Sequence, residues 1–198
     1  MSPVSHTFTI TLRDRSTQMK KVEDELLEIV DEQNRVVGTA TRGEAHKRGL
    51  MHRSVHIFLH NTDGMIFVQK RSHQKDRFPL HYDSSAAGHL DPGENYQQCA
   101  ARELEEELGI KGVPLLELAY FKACEETGWE HTTLFFCRTD EQVVINRQEI
   151  LEGRFHTWQE VSERMEDTPS DFTPVFMMIF RWFVHNKSSF EKLIEKDD

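Results

Sequence analysis

Gly88-His-Leu-Asp-Pro-Gly93-Glu94-Asn95-Tyr-Gln-Gln-Cys99-Ala-Ala-Arg102-Glu103-Leu104-Glu-Glu106-Glu107-Leu108-Gly109-Ile110 is the stretch on which the reading of the fold turns. Its second half has the marks of a helix. Asn95 is a residue type that caps helix N-termini, and Gly109 is one that ends helices in the left-handed conformation. With Glu103 at 0° on a wheel of about 100° per residue, Glu106 falls near ~300° and Glu107 near ~40°. The three carboxylates therefore share one arc, while Ala101, Leu104 and Leu108 lie on a neighbouring arc that can face a core. Like charges three and four residues apart repel. A hard divalent cation offsets that repulsion, because Mg²⁺ takes oxygen ligands and is commonly held by carboxylates together with substrate phosphates. A charge run taken alone is usually a solvated helix face; the spacing around this one argues for more.

Gly88 is followed after five residues by Glu94, and after seven more by Arg102-Glu103, Leu104, Glu106-Glu107, Gly109 and Ile110. Gly88 lets the backbone approach a ligand without a Cβ, and Arg102 can pair with a neighbouring carboxylate and fix its rotamer. This pattern resembles the box of the Nudix hydrolase family, G-x5-E-x7-R-E-U-x-E-E-x-G-U with U apolar, and every fixed position matches. The resemblance implies an α/β/α sandwich with a mixed sheet, an α/β (α+β) fold. It implies that Glu103, Glu106 and Glu107, with the backbone at Gly88, bind Mg²⁺ or Mn²⁺ on a diphosphate while water attacks phosphorus. Glu103, Glu106 and Arg102 would then be the catalytic set. The general base is Glu103 or a carboxylate outside the box, with Glu149 and Glu152 as the alternatives.

A narrower resemblance covers roughly residues 25–180. The order Arg42-Gly-Glu-Ala-His46, His52, Lys70-Arg71, Lys75, Phe78-Pro79, Ser85-Ala-Ala-Gly-His89 and Thr173-Pro174 is similar to the branch that contains the type I isopentenyl-diphosphate isomerases. In that branch an Arg and a Lys four apart hold the diphosphate, which points to Arg71 and Lys75; guanidinium and ammonium groups suit phosphate. The isomerases also hold a metal with histidines and two glutamates. His46, His52, His89 and Glu130 stand at matching places as a possible second metal site, but Thr132 stands where the second glutamate would be. Ala87 replaces the isomerase cysteine and can neither give nor take a proton. Arg102 and Glu103, a pair the isomerases tend to lack, are intact. The resemblance therefore implies a pyrophosphohydrolase acting on a nucleoside-diphosphate-type or related substrate. An isomerase-like enzyme and a non-catalytic diphosphate-binding sensor are the alternatives.

Around this centre the chain reads as β-rich. Leu26 to Thr41 forms two strands about an Asp31–Arg35 turn, and Val55 to Asn61 and Met65 to Lys70 are strands joined at Thr62-Asp63-Gly64. Strand-like runs follow at 115–123 and 132–137, then a polar loop and Phe155-His-Thr-Trp158. A final helix begins near Phe172, apolar almost all round over 172–184, which fits burial on the sheet or against a second copy of the chain in a homodimer. Residues 1–20 read as a tail, and 21–198 as a single domain, consistent with 198 residues and 23.2 kDa.

A net charge of −10 disfavours nucleic acid polymers. No apolar run reaches the ~20 residues of a membrane span, and the three cysteines, Cys99, Cys124 and Cys137, have no CxxC spacing, so a reducing, cytoplasmic setting is the expectation. The cysteines read as packing residues, and Trp129 and Phe121 as candidate stacking surfaces.

Overall fold

The computed structural model describes residues 24–194. It opens with the expected hairpin, β1 (Leu26–Val30) and β2 (Val36–Thr41), closed by Asp31, whose carboxylate accepts from the Gln33 and Arg35 amides. Asn34 takes a left-handed φ of 61° there, a conformation Asn tolerates. The hairpin forms a separate two-stranded sheet, and Arg53 ties it to the main one by donating to the Asn34 carbonyl and side chain and to Glu28.

Helix α1 (Arg42–Arg48) follows at once. It is capped by Thr41, whose hydroxyl accepts from the Glu44 amide, and is ended by Gly49 at φ 62°. Then comes the central strand β3 (His52–His60). Because side chains alternate across a strand, Val55, Ile57 and Leu59 enter a core with Cys99, Ala100, Leu104 and Leu108 of α2 (Tyr96–Leu108). Phe58 enters the opposite core with α3 (Trp158–Asp167) and α4 (Pro174–Ile194). The result is a mixed sheet between two helical layers.

The sheet divides at the place that matters. β3 pairs in parallel with β8 (Glu130–Arg138), which pairs with β7 (Leu116–Phe121), while its other edge pairs with β6 (Ala86–His89). β4 (Ile66–Arg71) meets β3 at His60–Ile66 and then runs with β5 (Tyr82–Asp83) and β9 (Ile150–His156) instead. The two halves diverge, and a cavity of about 320 Å³ opens between them, lined from β3, β6, α2, the 71–78 segment, the 125–130 loop and the start of α4.

Several elements differ from the sequence expectations. α1 and α3 are helices where none was expected; α1 is only 7 residues long, and α3 buries just Trp158, Val161 and Met165 on a charged sequence. The run beginning at Ser84 contains β6, and the expected polar loop gives way to β9 from Ile150, because small or charged residues form strands when a neighbouring strand supplies the hydrogen bonds. α4 starts at Pro174, with the Thr173 hydroxyl accepting from the Phe176 amide. It places Phe176, Ile179, Phe180 and Phe183 on the sheet, so its apolar stripe is accounted for within one chain. Among the described residues no helix is long and apolar enough to cross a membrane. The expectation for residues 1–20 lies outside the described residues.

Candidate functional site

The helix expected from Asn95 to Gly109 forms with a reciprocal cap: the Asn95 side chain accepts from the Gln98 amide, and the Gln98 side chain accepts from the Asn95 amide. Its buried arc runs through Cys99, Ala100, Glu103, Leu104, Glu107 and Leu108. Ala101 is exposed, contrary to the wheel reading, and Ala100 takes its place in the core. The larger correction concerns the carboxylates. They do not share one solvated face: Glu103 is 8% and Glu107 3% exposed, and only Glu106 faces solvent. The cause is Gly88, since a Cβ at that position would collide with the Glu103 carboxylate. A bare backbone in β6 lets the acidic face of α2 lie against it.

Arg102 organises the box. Its guanidinium donates twice to Glu94, at 2.8 and 3.0 Å, and also to Glu103, Glu106 and the His89 carbonyl. Glu94, placed after the Gly93 turn, therefore holds the arginine that holds two of the three helix carboxylates. Glu107 is fixed from the other side, where Gln69 Nε2 donates to it at 2.9 Å and the Ala87 amide at 3.3 Å. Burial, then the neighbouring Glu107 charge, raises Glu103 to about 8. Burial first, with Glu149 adding to it against the opposing charge of Lys75, raises Glu107 to about 7. Two buried carboxylates that resist ionisation near each other form a donor set suited to a hard divalent cation.

Cationic side chains line the same cavity. Arg71 pairs with buried Asp83 at 3.1 Å, Lys75 pairs with Glu149, and both line the cavity. Arg77, absent from the sequence expectations, joins them. Glu149 lies in the cavity, whereas Glu152 sits on β9 opposite Lys70 and is not among its lining residues. Nine carboxylates and five arginine and lysine groups line the cavity, a balance that favours binding cations.

A second cluster adjoins the first through His89, the residue after Gly88. The ligand atoms of His46, His52, His89 and Glu130 lie within 4.8 Å of one another. His52 and Glu130 are brought together by the parallel β3–β8 register, and His89 by β6. The Glu130 carboxylate stands 3.6 Å from His52 Nε2 and 3.5 Å from His89 Nε2. Burial would lower the His89 pKa, but Glu130 and Glu25 outweigh it and raise it to about 9. Glu130 is held well below the usual range because the neighbouring His52 and His89 outweigh its burial. His46 falls to about 3 through burial and the nearby His89 charge. His46 Nε2 and His52 Nε2 are buried without a hydrogen-bond partner, so the donor set fits a transition-type cation. Thr132, opposite Ser54, spends its hydroxyl on the Ser54 hydroxyl at 2.9 Å and offers no carboxylate.

The structure thus brings Glu103, Glu107, Arg102, Gly88, Arg71, Lys75 and Glu149 to one cavity, with Glu106 at its rim, and His46, His89 and Glu130 of the histidine cluster line it too. It leaves Glu152 out. Trp129 is exposed and packs on Gly49, and Phe121 packs against Trp182 in the α4 core, so neither lines the cavity. Gln69 and Arg77 were missed in the sequence. A glutamine inside the buried run Ile66-Phe-Val-Gln was the available signal, since a buried amide needs partners.

The NUDIX domain family model matches residues 50–176. The uncharacterized Nudix hydrolase SCO1686 of Streptomyces coelicolor is 37% identical over 154 residues, covering 71% of this chain and 84% of that protein. The uncharacterized Nudix hydrolase YfcD of Escherichia coli (strain K12) is 34% identical over 161 residues, 79% of this chain and 85% of its own. Among solved structures, DR0079 from Deinococcus radiodurans matches with a TM-score of 0.65 at 28% identity, covering 72% of this chain and 90% of that one. With box, sheet and helical layers in agreement, this chain belongs to the Nudix hydrolase family and is a pyrophosphohydrolase acting on acid anhydrides.

Proposed function

We propose that this chain hydrolyses the diphosphate linkage of a nucleoside-diphosphate-type or related small molecule, with Mg²⁺ or Mn²⁺ held by Glu103, Glu106 and Glu107 beside the Gly88 backbone. The observation that carries the reading is the pair of buried carboxylates, Glu103 and Glu107, lining the same cavity as Arg71, Lys75 and Arg77. A cation bound there supplies charge neutralisation to the phosphoryl oxygens and acidity to the attacking water.

The chain's own groups do the rest. Arg71 and Lys75 grip phosphoryl oxygens, and their partners Asp83 and Glu149 keep both side chains extended toward the cavity. Gln69 and the Ala87 amide hold Glu107 in one rotamer, and Arg102 does the same for Glu103. The attacking water gives its proton to Glu103; Glu149, tied to Lys75, is the alternative acceptor. His46, His52, His89 and Glu130 would hold a second cation. Ala87 removes the proton-transfer group an isomerase needs at that position.

The test is release of phosphate or pyrophosphate across a panel of nucleotide and isoprenoid diphosphates with Mg²⁺ or Mn²⁺, with Glu107→Gln as the blank. Turnover on one class that vanishes in the blank supports the reading and names the substrate. Rearranged isoprenoid product without phosphate release would overturn it. Glu103→Gln and Glu149→Gln, compared by their kcat profiles with pH, identify the proton acceptor.

A further inference from the structure

Of the arginines and lysines lining the cavity, Arg77 is the one without a carboxylate within ion-pair distance among the described residues. Arg42 has Asp76 and Glu25, Arg71 has Asp83, Lys75 has Glu149, and Arg102 has Glu94, Glu103 and Glu106. Arg77 instead lies across Gly128, where a Cβ would come within 3.1 Å of its guanidinium, and donates from Nη1 to His46 Nδ1 at 2.8 Å.

That bond decides where the His46 proton sits. A guanidinium only donates, so Nδ1 of His46 accepts, and a neutral ring then carries its hydrogen on Nε2, a buried atom of a ring that packs against those of His52 and His89. His52 has the opposite arrangement. Its Nδ1 lies 2.9 Å from the Leu50 carbonyl and donates to it, which leaves the Nε2 lone pair facing the cluster. One histidine is set to ligate a cation through Nε2, and the other is set against it.

We propose that Arg77 is a phosphate-binding residue that links filling of the anhydride cavity to cation capture by the histidine cluster. While it donates to His46 Nδ1, it keeps a hydrogen on Nε2. When a phosphoryl oxygen takes the guanidinium, the His46 proton shifts to Nδ1 and the Nε2 lone pair joins the ligand set. The exchange is favourable because a guanidinium–phosphate hydrogen bond is charge-assisted and stronger than one to a neutral imidazole. The inference rests on the reading of His46, His52, His89 and Glu130 as a cation site, and extends it to a residue outside that set.

The experiment is a Co²⁺ titration of the full chain followed by visible absorption, in wild type, Arg77→Met, Arg77→Ala and His52→Ala. Either Arg77 variant suffices if it melts as wild type does. The His-ligated Co²⁺ band is expected in wild type, lost in His52→Ala, and reached at about tenfold lower Co²⁺ in the Arg77 variants, the shift expected from removing one competing hydrogen bond. Concentrated sulfate, a tetrahedral dianion with weak affinity for Co²⁺, is expected to tighten the wild-type site and to leave Arg77→Met unmoved. A band that depends on His52 but has equal affinity in wild type and the Arg77 variants overturns the role of Arg77 alone. A wild-type site indifferent to sulfate overturns the link to the anion. No band, or one that survives His52→Ala, overturns the cluster reading and this inference with it.

Discussion

The two ligand-rich clusters of this cavity share the Gly88-His89 backbone and follow opposite electrostatic plans. On α2, Glu103 and Glu107 are like charges driven together by packing, and burial makes each resist ionisation. Beside them, His52 and His89 flank Glu130, and the charges of His89 and Glu130 offset each other. The first cluster needs an external cation to be comfortable when ionised, whereas the second partly supplies its own. On the proposed function, the carboxylates are the place for the catalytic cation and the histidines for a more conditional one.

The largest expected effect comes from Glu107→Gln, which should lower turnover by on the order of 10²-fold or more while leaving the melting temperature at pH 8 unchanged or higher, since it removes a buried charge. A variant that loses activity only because it unfolds would contradict this. Glu130→Gln sharpens the contrast: it should cost turnover on the order of tenfold, the range of groups that support a metal site indirectly, and abolish the His-ligated Co²⁺ band. If both glutamates prove equally indispensable in steady-state assays, the two clusters do one job and the comparison fails.

Arg71→Ala and Lys75→Ala should each raise KM for the diphosphate. Arg71→Ala should also cost on the order of 2 kcal/mol in denaturant titrations, because Asp83 is left buried without its guanidinium, whereas Lys75→Ala leaves only the half-exposed Glu149. Unchanged KM in both would remove them from the site.

The smallest effect is on stability against pH in the presence of a chelator. Glu103 and Glu107 are raised from 4.5 to about 8 and 7, so the folded chain binds the extra protons and loses stability as pH climbs through that window. His89, raised from 6.5 to about 9, contributes stability at lower pH that is lost as pH passes through 9. Melting scans should fall from about pH 6.5 to 10, while below that the buried histidines His46 and His60, lowered to about 3, oppose the trend. Glu107→Gln should flatten the lower part and His89→Asn the upper. Saturating Mg²⁺ should counter the lower part alone, and a uniform Mg²⁺ effect would erase the distinction.

The box helix was legible from the sequence because every determinant is local: the Asn95 cap, the Gly109 terminator and the period of the carboxylates. The burial of those carboxylates was not, because it depends on β6 lying against α2, and β6 is a run of small residues without strand propensity. Arg71 and Lys75 were singled out by the resemblance to the isomerase branch, which they match in their spacing of four. Arg77 sits two residues further on and was invisible because its partner, His46, lies 31 positions away. Glu149 and Glu152 look equivalent in sequence. Pairing of β4 with β9 sets one toward Lys75 in the cavity and the other opposite Lys70 on the ladder. What the sequence lacks in each case is the divergence of β4 from β3, a feature of strand pairing over long separations.

The most direct test of the account is phosphate and pyrophosphate release from a panel of nucleotide and isoprenoid diphosphates with Mg²⁺ or Mn²⁺, wild type against Glu107→Gln. The account predicts metal-dependent hydrolysis of one substrate class, lost in the variant with the fold intact. Hydrolysis that persists in Glu107→Gln, or that proceeds without a divalent cation, would contradict it.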